Sequence, residues 1–176
     1  MSGELVAMFN ATAATLRFPS DAAEKVHRYV RQHQGSSQIA EQAPFRRQID
    51  LWALAIAVAC AQGLEPRAGS SSSWGKKFVD TRSVQLDPDL ADLLVALAAS
   101  EFGIEDGRLE DPAEVAEIGN RYAAAGIPLV LKWLEDPNLR QTNIEKVIRK
   151  VTEVRKEALG KEGIGAEESR TEPENA

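Results

Sequence analysis

Apolar side chains recur along this chain at intervals of three and four, the spacing of one face of an α-helix. They nowhere alternate with polar ones for long enough to predict a half-buried strand. Ala22, Val26, Val30 and His33 share one face of a helix that Pro19 and Ser20 open and Gly35 ends, with Ser20 as the capping residue. Phe45 to Gln62 is apolar nearly all round: Ile49, Leu51, Trp52, Leu54, Ile56, Val58 and Cys60 interleave with Ala53, Ala55, Ala57 and Ala59. Such a segment predicts the central, buried helix, stopped by Gly63. Asp87-Pro88 and Asp111-Pro112 each place a capping carboxylate before a proline at the first helical position. The first start leads into Leu90, Leu93, Leu94, Leu97 and Ala98 and closes at Phe102-Gly103. The second leads into Val115, Ile118 and Tyr122 and is expected to stop at Gly126, with Pro128 opening a separate short segment through Leu134. Thr142 and Glu145 read as a capping box for a last helix. Its Ile144, Val147, Val151, Val154 and Ala158 keep a heptad-like spacing, and Gly160 is expected to end it.

Between these helices, residues 64–86 predict a long loop, Ser-rich at 70–73 and carrying Trp74-Gly75-Lys76-Lys77-Phe78. Residues 1–16 predict a short helix or an ordered arm. Residues 161–176 hold five glutamates and little that is apolar, the composition of a disordered tail. The expected fold class is therefore all-α: a compact bundle of about five to six helices in one domain, 1–160, followed by the acidic tail.

Composition narrows the function classes. The lone Cys60 excludes an intrachain disulfide framework and a thiol-rich zinc site. No apolar run reaches the ~18 residues of a membrane span, and Met1–Ala14 carries Glu4 but no Lys or Arg, unlike a secretory signal. A cytoplasmic protein without membrane partners is expected. The chain has 21 basic and 27 acidic side chains, a net charge of −6, but they are segregated. Residues 83–139 hold 3 basic against 12 acidic groups, whereas residues 140–161 hold 7 against 3. Either the oppositely charged segments neutralise each other within the fold or the basic ones face an acidic partner.

Candidate chemistry is sparse. His27 and His33 lie six residues apart, about 120° apart around a helix, with no metal-binding pattern near them. Cys60 in an apolar helix predicts a buried, inert thiol. Gly75-Lys76-Lys77 lacks both the expected upstream strand and the Ser/Thr after the lysine of a phosphate-binding loop. The carboxylate pairs Glu105/Asp106, Glu110/Asp111 and Glu114/Glu117 suit capping and solvation better than acid–base work. No catalytic residue, metal ligand or cofactor site is expected. Trp74-Gly75-Lys76-Lys77-Phe78 joins aromatic and basic groups: its rings either stack on bases while the lysines meet phosphates, or pin the loop to the core.

Several segments together resemble a known family. They are Leu16-Arg17-Phe18-Pro19 before the first helix, Phe45-Arg46-Arg47-Gln48-Ile49-Asp50-Leu51-Trp52 at the head of the apolar helix, and Gly63 at its end. A leucine-rich helix and an acidic stretch follow, then Tyr122-Ala123-Ala124-Ala125-Gly126-Ile127 running into Leu131 and Leu134. In this pattern, over about Leu16–Leu139, the chain resembles the small helical proteins associated with bacterial dnd (DNA phosphorothioation) modification and restriction systems. The resemblance carries no catalytic residues. It implies a non-enzymatic accessory or adaptor protein of a DNA-modification or anti-phage defence system, binding a larger protein component. Direct DNA binding through a local basic patch is the alternative. The expected contact residues are Arg46, Arg47, Trp74, Lys76, Lys77, Phe78, Arg82, Arg149 and Lys150.

Overall fold

A computed structural model describes residues 7, 9, 14–31, 43–67, 74–81, 87–136 and 143–168. Its elements run β1 (Thr15–Pro19), α1 (Ser20–Tyr29), α2 (Gln48–Ala61), β2 (Trp74–Asp80), α3 (Pro88–Phe102), a 3-10 turn (Gly107–Glu110), α4 (Pro112–Glu135) and α5 (Asn143–Glu168). The helical architecture expected from the apolar spacing is present. The helix starts read from local chemistry hold at two places: Asp87 accepts the amide of Asp89 at 3.0 Å, and Asp111 accepts that of Ala113 at 2.8 Å. At α1 the N-cap position belongs to Pro19, with Ser20 already helical.

The core is built on α2 and α4, which share the most extensive contact of any two elements. Leu51, Trp52, Ala55, Ile56 and Ala59 of α2 are fully buried, as the apolar run predicts. Two expectations for α4 are corrected. Gly126 does not stop this helix, and Pro128 lies inside it rather than opening a new one. Gly126 instead sits against the backbone of α2, where a Cβ would overlap the Ala55 carbonyl. Gly119 lies under Trp52 and Leu94, and a Cβ there would come within 2.7 Å of the indole Cη2. The two glycines lie seven residues apart and so share one helix face. Packing against α2 outweighs their weak helix propensity, which is about 1 kcal/mol below alanine.

A second correction concerns the segment read as a loop. Trp74–Asp80 is a strand, antiparallel to β1 with Leu16 opposite Val79 and Arg17 opposite Lys77. Two register shifts interrupt the pairing, which is why no clean alternation marks either strand. Phe18 and Phe78 stack with ring centroids 4.6 Å apart. Buried Asn120 of α4 holds β1 by its backbone: it accepts from the Arg17 amide at 2.9 Å and donates to the Thr15 carbonyl at 3.0 Å. Beyond the strands, buried Thr81 accepts from the Ala14 amide and donates to the Phe9 carbonyl, which ties the N-terminal segment in place.

The last helix is assigned through Glu168, past Gly160, which correspondingly does not end it. Cys60 is exposed rather than buried. His33, Gly35, Ser70–Ser73, Arg82, Thr142 and the last eight residues of the expected disordered tail, 169–176, lie outside the described residues.

Gly126→Val should cost about 3 kcal/mol or more in urea unfolding, because the overpacked atom is a backbone carbonyl. Gly107→Ala, where a Cβ meets open space, should stay within about 0.5 kcal/mol of the parent.

Candidate functional site

Helix α1 ends at Tyr29, and the chain then runs extended. The Arg31 amide donates to the Phe45 carbonyl at 3.0 Å, and the Phe45 amide donates to the Tyr29 carbonyl at 3.2 Å. These bonds make a parallel bridge between Val30 and Phe45. Both bridged side chains are buried. The residues that follow the bridged pair are Arg31, half-buried, and Arg46, exposed. With Glu24, His27, Arg47 and Gln48 they line an open cavity of about 700 Å3 beside Val30.

Arg47 is turned toward Asp50, with Nη2–Oδ1 at 2.7 Å and Nε–Oδ1 at 3.0 Å, and its amide donates to Asp50 Oδ2 at the head of α2. The Asp50 carboxylate raises the Arg47 pKa further, chiefly through that side-chain hydrogen bond. Arg31 Nε reaches the Ala43 carbonyl at 3.5 Å. Neither Arg31 nor Arg46 has an ion pair among the described residues. Gln48 Nε2 lies 3.1 Å from His27 Nδ1. With the amide donating, Nδ1 accepts and the neutral ring carries its proton on Nε2.

The aromatic–basic cluster lies elsewhere. Trp74 Nε1 donates to Glu117 Oε1 at 3.1 Å, while Glu117 Oε2 accepts from Asn120 at 3.3 Å. Both Trp74 and Phe78 are half-buried, and Phe78 stacks on Phe18, so their rings are engaged in the fold. Lys77 of the same strand is exposed; the Lys76 side chain and the whole of Arg82 lie outside the described residues. Arg149 and Lys150 both pair with Glu153 of their own helix, at 2.9 and 2.7 Å. Among the described ion pairs, Lys25–Glu135 joins a basic to an acidic segment. The expected contact residues that are described thus divide among the head of α2, the sheet and α5.

Helix α5 presents two faces. Inward, Val147 packs against the core, and Val154 and Ala158 are half-buried. Lys146 is buried, and its ammonium donates to the carbonyls of Asp136 at 2.9 Å and Leu134 at 3.4 Å, at the C-terminal end of α4 where helix carbonyls lack partners. Outward, Ile148 is 61% exposed, Leu159 57% and Val151 37%. Arg155 and Lys156 are exposed on the same helix.

Other candidate chemistry resolves into structure. Asp106 accepts the Arg108 amide and pairs with its guanidinium, which holds the carboxyl down to about 2. Partial burial pushes the Cys60 thiol up, so its thiolate is scarcer at neutral pH than that of a free cysteine. The described residues hold no cluster of three or more metal-ligating side chains, and no described helix is long and apolar enough to cross a membrane. No family model, curated protein or solved structure matches the chain.

Sequence reasoning missed Arg31, His27 and Lys146. The signal for the first was the doubled pattern Val30-Arg31 and Phe45-Arg46, one apolar and one basic residue on each of two short extended runs. Lys146 carried none, since one lysine among seven cations does not announce its burial.

Lys146→Met should lower stability by about 1–3 kcal/mol in urea unfolding, since it leaves two carbonyls at the end of α4 without their donor. Lys156→Met, at an exposed position, should change it by less than about 0.5 kcal/mol.

Proposed function

We propose that this protein is a non-enzymatic accessory protein of a prokaryotic DNA-modification or anti-phage defence system, and that it docks on a larger protein component through the outer face of α5. The defence context rests on the family resemblance. The docking face rests on one observation: Ile148, Val151 and Leu159 stand exposed along a helix whose opposite face is occupied by the core. Ile148 and Leu159 lie eleven residues apart, close to three turns, so with Arg155 between them they form one stripe. Fully burying an aliphatic side chain contributes about 1.5–3 kcal/mol. Arg155 and Lys156 beside the stripe favour a partner surface that is apolar at its centre and acidic around it.

The test is affinity capture from the native host with the tagged full chain, read by mass spectrometry. A component encoded with DNA-modification or restriction functions should be retained. The double substitution Ile148→Asp and Leu159→Asp should weaken its capture about tenfold or more, with the helical circular dichroism unchanged. Point substitutions are preferred to deleting α5, because Lys146 also serves the core. Equal capture by parent and double variant would exclude α5 as the docking face.

A further inference from the structure

We propose that the cavity between α1 and the head of α2 binds a phosphate-bearing ligand, with Arg31 and Arg46 as the paired guanidinium groups that grip it. The inference stands apart from the accessory-protein reading, whose contact face lies on α5.

Three observations converge. The first is placement. The Val30–Phe45 bridge is held by two backbone hydrogen bonds and by two buried side chains, so the arginines that follow each residue are brought together by the fold itself. Like charges on adjacent strands repel, and no carboxylate among the described residues pairs with either of them. A dianion between them would relieve that repulsion while accepting the forked N–H groups that guanidinium presents.

The second is the rest of the wall. Gln48 Nε2 lies 3.1 Å from His27 Nδ1, and with the amide donating, the ring keeps its Nε2–H as a donor. Arg47 adds a third guanidinium, already oriented and largely matched by Asp50. Glu24 is the one carboxylate among the described lining residues, so that wall stays positive with Arg47 counted as neutral.

The third is what the wall lacks. Among the described residues its apolar contribution is Val30, and none of them puts an aromatic ring in the lining. A nucleobase would find no stacking surface. The volume, about 700 Å3, admits more than a single phosphate group. Recognition would therefore be of phosphate and not of base, and the ligand is a polyphosphate or the sugar–phosphate backbone of a nucleic acid. Both present the same chemistry to the two arginines.

The experiment is isothermal titration calorimetry of the full chain with two probes, inorganic pyrophosphate and a single-stranded oligothymidylate, at two salt concentrations. At least one probe should bind saturably. Arg31→Gln and Arg46→Gln should each weaken it about tenfold or more, as loss of a charge-assisted contact implies. Arg108→Gln, at an exposed arginine of the 3-10 turn outside the cavity lining, should leave it unchanged. Arg46→Gln should melt no lower than the parent without ligand, since it removes a repulsion and no internal ion pair. Tighter binding of the oligonucleotide with a steep salt slope assigns the site to nucleic-acid backbone; tighter binding of pyrophosphate assigns it to a free polyphosphate. No saturable binding of either probe, or equal losses with Arg108→Gln, would overturn the proposal.

Discussion

The fold depends on how closely the backbones of α2 and α4 approach. At Gly126 the gap leaves no room for a single carbon next to the Ala55 carbonyl, and at Gly119 it is filled by Trp52 and Leu94. Interiors pack to crystal-like density, and in a chain with few aromatic residues that density comes from bringing backbones together rather than from bulk. The alternating alanines of α2 and the glycines of α4 are two halves of one solution. It has a cost: Trp52 lies fully buried with its indole N–H unpaired, the consequence of fitting a large ring into a seam set by small residues.

That contact also explains which parts of the structure were legible in the sequence. The caps at Asp87 and Asp111 were readable because their chemistry closes within two residues. The burial of α2 was readable because apolarity all round leaves no solvent face. Gly126 and Pro128 misled, since locally each is a helix terminator, and here the deciding partner lies about seventy residues away. The strand Trp74–Asp80 was hidden for a related reason. Its partner is 55 or more residues upstream, its register slips twice, and Asn120 supplies from a helix the hydrogen bonds that a third strand would otherwise make.

The candidate surfaces were half legible. Arg46 and Arg47 stood out as a basic pair, but only the bridge from Tyr29–Arg31 to Phe45 adds Arg31 and gives the group a cavity. Trp74 and Phe78 stood out as an aromatic–basic cluster, and the structure engages both rings within the fold, Trp74 through Glu117 and Phe78 through Phe18. The charge segregation along the chain survives in three dimensions as separate basic regions: one around α1 and α2, the other along α5, where Glu153 is shared by two cations.

Buried Lys146 has a further consequence for α5. The inward stripe of Val147, Val154 and Ala158 is built from small and medium aliphatic side chains, and such a surface is nearly as well packed after the helix slides along its axis by one turn, about 5.4 Å. The ammonium is not so tolerant, because its two carbonyl acceptors exist at one place, the end of α4. A single polar contact thereby specifies the axial register of the helix, as a lone buried polar residue does in a coiled coil. The position along the molecule of Ile148, Val151 and Leu159 is set by that lysine, on the opposite side of the helix from the residues a partner would touch.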